Sequence, residues 1–198
     1  MHIRHKSFAL FLVLVASFGC RKDLGPVEVV QQFHKFTSQE MYTEALLLVD
    51  FDAKCRTMLG DLYVQGDIDD QREMQDIWSR KLEETTRTYL SRHFGDATGK
   101  IVLETGSEAI AEVSQTKGKF KLIYSLQKGE GGWLIVDRIN EIDGARPNPS
   151  RSMRVLLKRI EGELGHPPTL AEVNARLEDY MERMKVRRIP VNAAPAKR

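Results

Sequence analysis

Between Lys119 and Val136 the chain changes its rhythm. Phe120, Leu122, Tyr124 and Leu126 are apolar at every second position and alternate with Lys119, Lys121, Ser125 and Gln127. A period of two sets one row of side chains against a core and the other in water, which predicts a half-buried antiparallel strand. Gly129, Gly131 and Gly132 follow and offer the positive-φ backbone of a tight reversal, and the apolar run from Trp133 to Val136 predicts the returning strand. Upstream, Ile101 to Glu104 and Glu108 to Thr116 predict two more strands, the second with Ala109, Ala111 and Val113 on one side. Four strands at such short spacing make an antiparallel meander.

On either side of this block the period becomes helical. Val27, Val30, Phe33 and Phe36 predict an amphipathic helix from Pro26 to Phe36, interrupted by Thr37 and Ser38. Further helices are expected over Tyr42 to Val49 and Ala53 to Tyr63. A long one runs from Asp70 to about Phe94, where Met74, Ile77, Trp78, Leu82, Thr85 and Tyr89 draw one stripe that stops at Gly95. After the strands, Met153, Leu156, Leu157, Ile160 and Leu164 return at helical intervals up to Gly165. Thr169 and Glu172 then fit a capping box ahead of the stripe Leu170, Val173, Leu177, Met181 and Met184. Helices first and strands afterwards predict the α+β class: N-terminal helices and one long helix packed on a curved four-stranded sheet, followed by two C-terminal helices. Alternating βαβ units are absent, which excludes a doubly wound nucleotide-binding layout.

The first twenty residues belong to a different kind of sequence. Arg4, His5 and Lys6 precede the uninterrupted apolar run Phe8 to Ala16, too short to cross a bilayer core of roughly 30 Å comfortably. Small residues then lead to Cys20. The arrangement resembles the lipobox of bacterial lipoproteins, with Ser17 where that pattern usually has an aliphatic residue, and implies a lipid such as palmitate on Cys20. The expected organisation is therefore a signal peptide over 1–19, a tether over 20–25, an α+β ligand-binding domain over 26–186 and a disordered tail over 187–198. Charge and cysteine content change meaning accordingly. The formal net charge of +2 includes Arg4 and Lys6; without them 28 basic residues face 28 acidic ones, a balance that argues against nucleic acid as a partner. A lipidated Cys20 leaves Cys55 alone, so no internal disulfide forms and Cys55 reads as a small buried hydrophobe.

Catalytic chemistry is not evident. The glycines at 129, 131 and 132 open a strand and so present no helix N-terminus to a phosphate. His34, His93 and His166 are isolated from one another and from Cys55, so no metal spacing exists and no cofactor is implied. Asp69 with Asp70 and Glu83 with Glu84 read as solvated helix faces, which leaves Asp137 on its strand as the one carboxylate to consider for acid/base work. The apolar faces are more suggestive. Phe33, Trp78, Leu82, Tyr89, Tyr124 and Trp133, with Phe120 beside them, all fall on sides assigned to the interior. They either fill an ordinary core or line an apolar cavity, and periodicity does not separate the two.

The order of several short segments resembles a family. Asp50 and Phe51, Leu59 and Gly60, Thr88 and Tyr89 near the end of the long helix, Tyr124 and Leu126, Gly131 to Trp133, Asp137 and Gly144 follow the pattern of the MlaC family of periplasmic phospholipid-shuttle proteins, over roughly Asp50 to Leu164. The N-terminal helices and the Gly-Gly-Trp hairpin are also similar to NTF2-like domains. Departures are the short N-terminal helical part and the segment Ala145 to Pro149, where the family continues differently. The first resemblance implies a non-enzymatic carrier that holds a phospholipid or other hydrophobic molecule. It would be anchored through Cys20 to a bacterial membrane, on the periplasmic face of the envelope, with envelope transport proteins as partners. The second implies a tethered interaction module with a filled core that docks a partner through the stripe Leu170 to Met184, or, at a greater distance, an enzyme.

Overall fold

A computed structural model describes residues 24–87, 97–115, 121–139 and 151–186. The leader with Cys20, Tyr89, the expected end of the long helix near Gly95, the segment around Gly144 and the tail lie outside the described residues. Those described form an α+β structure of seven helices and one four-stranded antiparallel sheet. In chain order they are α1 (Pro26–Ser38), α2 (Tyr42–Leu46), α3 (Phe51–Leu59), α4 (Asp61–Val64), α5 (Ile68–Thr85), β1 (Ala97–Glu104), β2 (Glu108–Gln115), β3 (Lys121–Gly129), β4 (Gly132–Ile139), α6 (Arg151–Leu164) and α7 (Leu170–Val186). None of these helices is long and apolar enough to cross a membrane. Two compact units arise from them, the described residues of one being 24–54, 79–87, 97–115 and 121–139 and of the other 55–78 and 151–186, with boundaries falling inside α3 and α5.

The first unit holds the sheet, in the order β1-β2-β3-β4 that the alternation predicts. Ala109, Ala111 and Val113 of β2 are buried on the face that carries α1, and so are Tyr124, Leu126, Trp133 and Ile135. Val29, Val30 and Phe33 of α1 complete this core. The helix sits close to β1, because Gly99 has no side chain: a Cβ there would lie 2.7 Å from Cγ1 of Val27, inside van der Waals contact. Two bulges break the ladder, at Val102 in β1 and at Val136 in β4. The first sits on an outer strand, where a bulge discourages pairing with another sheet, and the second re-aims the side chains that follow it.

The outer side of β4 is occupied. Val49 pairs with Ile135 in the parallel sense; the Asp50 amide donates to the Ile135 carbonyl at 2.8 Å, and the Ile135 amide to Leu48 at 2.8 Å. These two bonds end α2 at Leu46, where helical periodicity suggested Val49. At the other end of the hairpin only Gly132 of the three glycines takes positive φ (104°); Gly129 and Gly131 do not, so the turn needs the freedom of one glycine rather than three. Nor do Thr37 and Ser38 interrupt α1. Their hydroxyls donate back to the carbonyls of His34 and Lys35, at 2.9 and 2.8 Å, which suits the last turn of a helix.

The second unit is helical. Cys55, Met58, Leu59, Tyr63, Met74 and Ile77 pack with Met153, Leu156 and Ile160 of α6 and Leu170, Val173 and Leu177 of α7. Cys55 is fully buried, as a small hydrophobe. Gly60 (φ 56°, ψ −131°) breaks the helix expected over Ala53 to Tyr63 into α3 and α4, in a conformation costly for any residue with a Cβ. Gly165 (φ 75°) closes α6, and the capping box forms as read: the Thr169 amide donates to Glu172 Oε2 at 2.8 Å while the Glu172 amide donates to Thr169 Oγ1 at 3.3 Å. The Thr169 amide and hydroxyl, both donating to the charged carboxylate, hold the Glu172 carboxyl below the usual range. The first part of the α7 stripe, Leu170 to Leu177, is consumed at home. Leu170, Val173 and Leu177 are at most 2% exposed within this unit's own core, so these three residues are not a docking surface.

Candidate ligand site

The residues singled out from sequence divide between the two units. Phe33, Tyr124 and Trp133 are brought together in the core beneath α1, and Leu82 of α5 packs half-buried against the same cluster. Trp78, four residues before Leu82, packs instead against the cluster of Cys55, Tyr63 and Met74 in the second unit. A single stripe on a helix was the natural expectation from spacing. Contact within two separate cores divides it.

Around the fully buried part of the first core lies a margin of apolar side chains that still reach water: Leu24, Val27 and Phe36 from the α1 region, Phe51, Leu82 and Leu122. Sequence reasoning assigned only Leu82 of these to a site. At the centre, Phe33, His34 and Tyr124 are in mutual ring contact, with centroids 5.5 Å apart for Phe33 and His34, 5.6 Å for His34 and Tyr124, and 6.4 Å for Phe33 and Tyr124. The rings fill the middle of the face, and the half-buried margin is where apolar surface remains open. Trp133 closes the β4 side, with the Lys128 ammonium 5.7 Å from its ring centroid.

Polar groups are few here and unevenly placed. His34 is fully buried, and its Nε2 lies 3.0 Å from the Tyr124 hydroxyl. Burial, reinforced by the nearby Arg138 charge, pulls the His34 pKa down to about 4, so the imidazole is neutral at pH 7. Burial likewise raises the Tyr124 phenol above its ordinary value, against the opposing pull of Arg138. The pair is therefore a neutral polar couple inside an apolar face. Thr86, one turn beyond Leu82, is also buried, and its hydroxyl has no hydrogen-bond partner among the described residues. Spacing along the chain leaves His34 isolated, since its partner is 90 residues away.

Asp137 belongs to a different constellation. The bulge at Val136 places it opposite Ser125, whose side chain alternates away from Tyr124, and it forms an ion pair with Lys54 at the end of the Asp50-capped turn of α3. The Asp50 carboxylate accepts from the Ala53 amide at 2.8 Å, fixing that turn. Asp137 thus joins α3 to β4, a structural duty that leaves its carboxylate engaged. Among the described residues no group of three His, Cys, Asp or Glu side chains is placed to hold a metal ion.

No family model and no curated protein matches the chain. Among solved structures, it is similar to the phospholipid-binding protein from Ralstonia solanacearum, determined in complex with a phospholipid. The TM-score is 0.52 and the identity 14%, over 90% of this chain and 96% of that one. At this identity the likeness shows the α+β fold.

Proposed function

We propose that this protein is a phospholipid-binding carrier of the bacterial envelope, a lipoprotein held through Cys20 at the periplasmic face of a membrane, working with envelope transport proteins. The observation that carries the reading is the half-open apolar margin of the first unit, on a fold that a phospholipid-complexed protein shares along nearly its whole length. Acyl chains lying against Val27, Phe36, Leu82 and Leu122 would leave water at about 25 cal/mol per Å² of apolar surface, with no bond made or broken. Phe33, Tyr124 and Trp133 form the floor. Interiors are mostly apolar in sites of this kind, with a few polar groups to orient the guest, and the neutral His34 and Tyr124 couple suits that role.

Leu82→Asp places a charge on the margin and leaves the floor residues Phe33, Tyr124 and Trp133 themselves unaltered. Uptake of a fluorescent phospholipid from vesicles is expected to fall at least ten-fold in this variant, on the order of the few kcal/mol that a poorly hydrated charge opposes to acyl contact. Uptake equal to the unaltered chain would place the ligand elsewhere. Absence of uptake by the unaltered chain would favour a filled, ligand-free module, the reading that the Phe33, His34 and Tyr124 ring contacts support. Label from palmitate on Cys20, lost in Cys20→Ala, is the expected sign of the anchor.

A further inference from the structure

The bulge at Val136 has an effect on the residue after Asp137. Downstream of it the register sets Arg138 opposite Tyr124. Directly opposed residues of an antiparallel pair project to the same side, so Arg138 stands on the α1 face while Asp137 stands on the other. Tyr124 points inward to His34; Arg138, near the end of β4, is exposed. Its charge nonetheless reaches the interior, where both His34 and Tyr124 feel it. Asp137, the adjacent acid, is committed to Lys54. Arg138 makes no ion pair with any described acidic side chain, although Glu and Asp residues are abundant in the chain.

We infer that Arg138 is the headgroup ligand of the site, binding the anionic phosphate of a phospholipid whose acyl chains lie on the apolar margin. The inference rests on the carrier reading above and names the residue that recognises the cargo's phosphodiester and so discriminates it from an uncharged lipid. A guanidinium presents parallel N–H donors in a planar fork that matches two phosphate oxygens, which an ammonium does not reproduce. The neutral His34 and Tyr124 couple behind it competes for no charge. Position matters as much as charge, because an arginine at the boundary of apolar surface and water holds the phosphate where the headgroup must emerge if the tails are inside.

The test compares uptake by the full chain of two labelled lipids with the same acyl chains, phosphatidylglycerol and diacylglycerol, in the presence and absence of inorganic phosphate. The expected result is a preference for phosphatidylglycerol of about ten-fold, the scale of one exposed charge-assisted contact. Arg138→Gln should abolish that preference, leave diacylglycerol uptake unchanged and keep the thermal midpoint; Arg138→Lys should recover only part of it. An unchanged preference in Arg138→Gln removes the inference and leaves the carrier reading standing, whereas equal loss of both lipids marks a structural role and removes it too. Inorganic phosphate that binds tightly with no preference between lipids would reassign the group to free phosphate and overturn the headgroup role. Failure of the unaltered chain to take up either lipid defeats both proposals together.

Discussion

Phe33→Ala is expected to destabilise the sheet-containing unit by about 3–5 kcal/mol, the range for deleting a buried phenylalanine from a packed core. Phe33 is 1% exposed, and together with His34 it brings α1 against β3 through contact with Tyr124. Its removal leaves a cavity bounded by the Tyr124 and His34 rings, neither of which can collapse into it without breaking the hydrogen bond they share. Urea unfolding followed by tryptophan fluorescence measures the loss, since Trp133 belongs to this core. Phe36→Ala provides the contrast. That side chain is only partly buried at the margin, so its loss should be well under half as large and should reduce lipid uptake more than stability. Equal losses in the two variants would mean that the core and its margin are not distinct.

The second large effect depends on pH. His34 has an ordinary pKa of 6.5 when unfolded and about 4 when folded, so below pH 6.5 the unfolded chain binds a proton that the folded one resists. Stability is therefore fully present above pH 6.5 and falls as the pH drops toward 4, below which both states are protonated and the loss levels off. A depression of this size corresponds to about 3 kcal/mol in all, with about 2 kcal/mol lost by pH 5. Arg138 reinforces the direction, because a second positive charge disfavours the imidazolium further. Unfolding curves at pH 7, 6 and 5 should show the midpoint falling, and His34→Gln should flatten that dependence while leaving the contribution of the carboxylates. A midpoint that falls equally in both proteins would assign acid sensitivity to other groups.

Much of the fold was legible in the sequence because single elements carry their own periodicity. The alternation around Tyr124 and the row Ala109, Ala111 and Val113 announce a sheet with one buried face, and the Thr169 and Glu172 pair announces a helix start; each depends on residues a few positions apart. What was not legible depends on distant partners. His34 gains its role from Tyr124, and Lys54 from Asp137, across 83 residues. The short pairing of Leu48 to Asp50 with β4 overrides a helical pattern that local sequence favoured. Bulges were invisible for the same reason. Val136 looks like any strand residue, yet the one-residue shift it introduces decides that Arg138, rather than Asp137, stands on the α1 face.

The candidate site shows the same division. Phe33, Tyr124, Trp133 and Leu82 follow from amphipathic spacing and meet in one cluster, whereas Trp78 shares their stripe and joins another core. A helical stripe states which side chains are buried but not against what. The half-buried residues Val27, Phe36, Phe51 and Leu122 carry no distinguishing pattern, because a partly exposed apolar position reads as a slightly irregular buried one. Arg138 likewise reads as an ordinary solvated strand end.

The most direct measurement is native mass spectrometry of the full chain, purified without detergent exchange, followed by extraction and identification of whatever small molecules accompany it. A protein that carries phospholipid on the α1 face of its sheet should fly with a substoichiometric to stoichiometric adduct of phospholipid mass, released on unfolding and diminished in Leu82→Asp. A folded chain that flies bare, and stays bare after incubation with phospholipid vesicles, would contradict it.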